Sequence, residues 1–262
     1  MNAKAVFDGT MQRVDHLLKL YDILRNRRTR SIRRDWANRF KTLMHWPKRE
    51  LISRVDGDGS ILILREASGI SASQFCHEEL CELLRAALVG AVSALDRYCH
   101  ETLIIRVIRQ VTRSERNWPG ALKKVKVSLS TVKKAIAHAR VRKGKGGRIR
   151  PRPMNIIRHA LQDQFHRDLT LQGSEEIAQA FSMIGVQNLW TTCGNKVAER
   201  PTAIIQRLDR IVRRRNQIVH EGDIKRYLRG GRVIQNSIEP HAVREDITWL
   251  RKLVAALDEV VK

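Results

Sequence analysis

Turn-forming residues are scarce in this chain, with 15 Gly and 6 Pro in 262 positions. Average usage would give the pair about 12% of all residues. A many-stranded sandwich or barrel needs frequent turns, so the scarcity argues against those classes and favours long helices. No apolar run of about 18 residues exists, so no membrane span is expected. The opening MNAKAVFDGT carries no apolar signal core, which makes the cytoplasm the expected compartment. The four cysteines, Cys76, Cys81, Cys99 and Cys193, form no C-x-x-C and share no metal-type spacing with the nine histidines. No zinc site or disulfide framework is expected, and the thiols read as buried or half-buried. Neither an internal repeat nor a heptad seam stands out. Wholesale disorder is excluded, because 42% of residues are hydrophobic and can fill a core.

Negative charge is also in short supply. Fifty Lys and Arg face 27 Asp and Glu, a net charge of +23. The excess is uneven: residues 13–49 carry +9, 50–105 carry −5, 106–158 carry +16 and 159–262 carry +3. Two basic blocks therefore flank an acidic one. Polyanion binding follows physically, since each cation that meets a phosphate releases condensed counterions. Basic faces that are merely solvated, or that meet an acidic partner chain, are the plainer alternatives.

Apolar spacing predicts helices along most of the chain. Val14, Leu17, Leu18, Tyr21 and Leu24 mark the first, with Thr10 as its N-cap. A second basic helix runs through Trp36, Phe40 and Leu43 and stops before Pro47. Asp56-Gly57-Asp58-Gly59 is a turn, and Ile61–Leu64 reads as an apolar lead-in in preference to a strand. The strongest signal spans Phe75 to about Gln110, apolar on so much of its circumference that it must be buried along most of its length. Ser71 or Ser73 is its expected cap. Further helices are expected over 122–141, 154–170, 174–184 (capped by Ser174), 201–220 and 241–261. The stretch VRKGKGGRIRPRP (141–153) reads as a basic loop.

The helix ending at His220 holds an anomaly. Its stripe is Ile204, Leu208, Ile211 or Val212, then Ile218 or Val219, and the intervening apolar position is Arg215. A guanidinium in a buried seam costs several kcal/mol unless an anion meets it. That anion is either a carboxylate or a substrate phosphate. Arg215 and His220 lie about 140° apart on a regular helix, so they converge only if the helix frays at Glu221-Gly222 or if two copies face each other. Asn216 and His220 share a face, where the amide could fix the imidazole's tautomer. Arg, an orienting amide and His suffice for phosphodiester cleavage without a metal.

The run RRRNQIVHEGD (213–223) resembles the R-x(4–6)-H signature of the HEPN superfamily, read here on Arg215, Asn216 and His220. The helix LLRAALVGAVSALDRYCHETL (83–103) is similar to the first core helix of its RiboL-PSP-HEPN branch. RVDHLLKLYDIL (13–24) and IAQAFSMIGVQNLW (177–190) look like that branch too. The resemblance implies an all-α, HEPN-type helical bundle with extra basic helices and loops: one domain over 1–262, with 106–158 a basic insertion. It also implies a metal-independent endoribonuclease of the toxin or antiphage-defence kind, with no cofactor. Such proteins dimerise and pair their two motifs in one cleft. Arg215 would bind the scissile phosphate, His220 would act as general acid or base, and Asn216 would support them. The partners implied are RNA (tRNA or mRNA), a second copy of the chain, and an antitoxin or defence-system partner.

Arg213 and Arg214, together with Lys143, Lys145, Arg148, Arg150 and Arg152, are expected to contact RNA phosphates. Asp96, His100 and Glu101 on the long helix form either a polar flank with a local pair or a supporting group near the cleft. Trp36, Trp46 and Trp118 border basic stretches, where core packing competes with base stacking. The rival function is a non-catalytic helical protein that binds RNA or DNA.

Overall fold

A computed structural model describes residues 2–26, 28–111, 115–126, 128–140, 153–225 and 234–261. The first helix, α1 (Ala3–Arg25), buries Ala3, Phe7, Met11, Val14, Leu18, Tyr21 and Leu24, one stripe at three- and four-residue steps. It begins seven residues before the expected Thr10 cap. Asn2 caps it instead, its Oδ1 accepting from the Lys4 amide at 3.0 Å, while the Thr10 hydroxyl donates within the helix to Val6 O. After β1 (Arg28–Arg30) come α2 (Arg34–Leu43), β2 (Ile52–Gly57) and β3 (Ser60–Arg65). The three strands form an antiparallel sheet in the order β1-β2-β3.

That sheet corrects the lead-in reading of Ile61–Leu64. The run is a strand because Ser53–Asp56, polar enough to pass for a loop, supplies its partner: Val55 pairs Leu62 and Arg54 pairs Ile63 across a two-residue Asp58-Gly59 turn. Gly59 takes φ +68°, the left-handed conformation such a turn demands. The hairpin abuts the end of α1. Asp58 N donates to Ile23 O at 2.7 Å, and a Cβ on Gly57 would stand 2.4 Å from that carbonyl oxygen.

The axis of the molecule is α3 (His77–Val111), 35 residues and therefore about 52 Å long. Ser71 does not cap it; its capping box with Gln74 starts a short 3-10 turn over Ala72–Phe75. Helix α1 packs along α3 in the opposite direction, with Phe7 against Tyr98, Val14 against Gly90 and Tyr21 near Cys81. The expected 122–141 helix is two pieces, α4 (Gly120–Lys123) and α5 (Leu129–Arg140). Then follow α6 (Pro153–Asp168), α7 (Ser174–Ser182), α8 (Leu189–Val197), α9 (Pro201–Glu221) and α10 (Pro240–Val260).

Ser174 is the first residue of α7 and not its cap; its N–H and hydroxyl both donate to Asp209 of α9. Helices α6, α9 and α10 all pack on α3, and α8 wedges against α9 and α10. One continuous apolar cluster joins them. The bundle is helical as expected, with the sheet attached at one end. Among the described residues, no helix is long and apolar enough to cross a membrane. The four cysteines are free thiols, three buried and Cys76 half-buried. Burial pushes the Cys193 thiol up to about 11.

Candidate functional site

Helix α9 presents Arg213, Arg214, Arg215 and His220 in its last three turns. Pro201 suits its first turn, and Gly222 ends it at φ +61° with its N–H on Gln217 O. The helix stays regular through Glu221, so fraying does not bring Arg215 and His220 together. Within one chain they remain about 140° apart. Ties to its neighbours hold α9 in place: Asp209 to Ser174, and Arg210 to Asp246 of α10 at 2.7 Å.

The burial argument made for Arg215 proves correct for a different arginine. Arg85 on α3 is 4% exposed, and its Nε donates to Asp223 Oδ2 at 2.8 Å. Asp223, 1% exposed, also accepts both Nη atoms of Arg214 and the Asn236 amide. Arg85 Nη2 continues to Asn236 O at 2.8 Å. One carboxylate thus binds two guanidiniums and pins the end of α9 to α3. Arg85, Asp223 and Asn236 were missed in the sequence. The available signal was an arginine inside the apolar stripe of α3, which needs an anion for the same reason Arg215 does.

This cluster separates the three consecutive arginines. Arg213 is exposed. Arg214, expected on RNA, is instead committed to Asp223 and to Ser237 O at 3.1 Å. Arg215 is half-buried, and its Nε is enclosed without a hydrogen-bond partner. Its Nη1 donates to Asn216 Oδ1 at 2.9 Å, and among the described residues no carboxylate meets it. Asn216 therefore serves Arg215 and does not orient the imidazole. His220 is exposed in the last turn. Val219, Ile224 and Ile234 beside it are 45%, 40% and 41% exposed, so the surface around the end of α9 is partly apolar.

Asp96, His100 and Glu101 sit elsewhere. His100 lies 15 residues beyond Arg85 on α3, about 22 Å along the axis. It is 2% exposed and stacks on His166 of α6, ring centroids 4.5 Å apart. Asp96 accepts the Leu171 amide at 2.8 Å and stands 3.6 Å from His100 Nε2. Glu101 is buried beside Arg97. The three do not join Arg215 and His220; they seat α6 and the chain after it on α3. Burial pushes the His100 imidazole down, opposed by Asp96. Lys143, Lys145, Arg148, Arg150 and Arg152 lie outside the described residues. Among the described residues no cluster of three or more His, Cys, Asp or Glu could hold a metal.

A long buried helix with antiparallel partners, and an R-x(4)-H pair in the closing turns of a bundle helix, define a HEPN-type helical protein. The sequence model of the family described as RiboL-PSP-HEPN matches residues 63–262, and the chain belongs to that family. Membership points to an RNA- or nuclease-related function. The matched span starts within β3, so α1, which looked like the branch in sequence, precedes it although it packs on α3. No curated protein and no solved structure matches the chain.

Proposed function

We propose that the protein is a metal-independent endoribonuclease, with Arg215 and His220 as its working pair. The observation that carries the reading is Arg215: among the described residues this half-buried guanidinium meets no carboxylate, while the adjacent Arg214 is neutralised by Asp223. A scissile phosphate is the anion that would complete it. The ribose 2′-oxygen attacks the adjacent phosphorus as His220 or its symmetry mate takes the proton. The P–O5′ bond breaks, and the leaving oxygen receives a proton. The products carry a 2′,3′-cyclic phosphate and a 5′-OH, and Arg215 offsets charge on the pentacoordinate phosphorus. DNA, lacking the 2′-OH, is not cut this way.

The 140° separation is resolved by a homodimer in which Arg215 of one copy and His220 of the other flank a single phosphate. The exposed apolar residues Val219, Ile224 and Ile234 suit such a contact. A toxin or antiphage effector is the proposed setting. The test is cleavage of total tRNA or mRNA in EDTA. Wild type should give cyclic-phosphate ends, and His220→Ala should lose about 100-fold or more in rate while RNA binding persists. Equal cleavage by His220→Ala would overturn the mechanism. Salt-sensitive binding by wild type without any product would leave a non-catalytic RNA- or DNA-binding protein.

A further inference from the structure

A wide cleft lies far along the sequence from α9. It measures about 1120 Å³ and opens between α2 and the segment 48–52 leading into β2. All its lining residues precede position 63, so it stands outside the family-matched part of the chain. Arg34, Arg39, Lys41, Lys48 and Arg49 line it, and among the described residues none of the five is paired with a carboxylate. The one acid in the lining, Glu50, is taken by Arg65 through two bonds of 2.8 Å. Asp35 of α2 is exposed and does not line the cleft.

Lys41 is the telling member. It is 7% exposed, and its ammonium donates to Lys48 O at 2.6 Å and Glu50 O at 3.2 Å. An ammonium has three donors, so one N–H is left for an anion. The Glu50 carboxylate, committed to Arg65, also attracts this ammonium.

The same helix, α2, carries an aromatic platform that stands outside the cleft's lining. Trp36 and Phe40, one turn apart on α2, stack with centroids 4.9 Å apart and planes 12° apart. Trp46 meets Phe40 edge-on at 5.5 Å and carries Arg65 over its ring. Trp36 remains 41% exposed, so it is open to a further stacking partner.

The position of the cleft also bears on its use. The hairpin is tied to Ile23 at the end of α1, and the antiparallel pairing of α1 with α3 sets that end beside Cys81. Arg85, one turn further along α3, holds Asp223, three residues after His220. The cleft's sheet and the end of α9 therefore occupy the same end of the bundle.

We propose that this cleft binds single-stranded RNA, with phosphates on the five cations and bases stacked on the Trp36–Phe40 platform. A positively charged groove flanked by aromatic rings is how proteins hold unpaired strands. A duplex offers Trp36 no free base face. An anionic lipid surface calls for cations spread over a plane, whereas these converge on a concavity. Binding here does not depend on the endoribonuclease reading; only the consequence for cleavage rests on it.

The test uses full-length His220→Ala protein and fluorescence anisotropy with a labelled single strand of about 12 nucleotides and its duplex. Adding Trp36→Ala should weaken single-strand binding about 10-fold, leave duplex binding within about twofold, and be rescued by Trp36→Phe. Arg39→Glu with Arg49→Glu should weaken it by about 10-fold or more and make the log–log salt dependence shallower by about 1.4. Single-strand binding unmoved by both changes overturns the proposal. So does retention on phosphatidylserine vesicles that is lost in Leu43→Asp while RNA binding stays unchanged. If the protein with His220 intact cuts nothing yet Trp36 still governs single-strand binding, the endoribonuclease reading fails and the cleft stands. If it cuts RNA with a KM indifferent to Arg39→Glu and Arg49→Glu and these changes also leave single-strand binding unmoved, the cleft is not where RNA is held, and the proposal falls.

Discussion

Asp223 decides which of three consecutive arginines stays available. By accepting from Arg85 and Arg214 it ties both to the bundle, and among the described residues Arg215 is left without a carboxylate. Asp223→Asn leaves Arg214 without its carboxylate and Arg85 with Glu82 alone, and should cost about 3–5 kcal/mol, read as a lower denaturant midpoint at an unchanged slope. A second residue-scale prediction concerns His100. Its folded pKa lies below the ordinary imidazole value because burial disfavours the charged ring, with His166 adding to this and Asp96 and Glu101 opposing. The unfolded chain therefore binds a proton that the folded chain resists. Stability is fully present above about pH 6.5 and is lost as pH falls from there toward the folded pKa. The melting temperature should drop between about pH 7.5 and 5.5, and by less in His100→Phe. An equal drop in both proteins would assign the acid sensitivity to other groups.

Among the elements, the hairpin depends on a close backbone approach. A Cβ on Gly57 would lie 2.4 Å from Ile23 O, a backbone atom that cannot rotate away. Gly57→Ala should therefore push the hairpin off α1 and speed amide exchange over 52–65 while α3 stays protected. The helices were legible because their stripes repeat at three and four residues over long spans; α9 and α10 lie within a residue or so of their expected bounds. The sheet was not legible, since Ser53, Arg54 and Asp56 lack the alternation of a half-buried strand and only Val55 is fully buried. Helix α8 was missed for a related reason. It is nine residues long and enters and leaves through left-handed Asn188 and Ala198, positions where no glycine marks the boundary.

At the scale of the molecule, the proposed site is complete only as a pair. Sedimentation at micromolar concentration should give about twice the chain mass, and Val219→Asp should shift it toward the monomer and lower cleavage with it. A monomer at high concentration that still cleaves would remove the composite site. With +23 overall, RNA binding should weaken steeply between about 50 and 200 mM salt. Within residues 50–105, Glu50 pairs with Arg65, Asp56 with Arg54 and Glu101 with Arg97, each pair removing one acid with one base, so the −5 stands.

The chain by itself determined the helical class, the long buried helix and the Arg215–His220 spacing, because periodicity and local order are properties of neighbouring residues. It also showed that a buried arginine would need an anion. Only the tertiary structure decided that this arginine was Arg85, that its anion was Asp223 from 138 positions away, and that Asn216 bonds to Arg215 and not to His220. It alone set the end of α9 at the Arg85 level of α3, about 22 Å from His100, and gathered around the cleft five cations that meet no carboxylate among the described residues. Charge pairing and burial depend on which distant segments meet, and no local pattern carries that information.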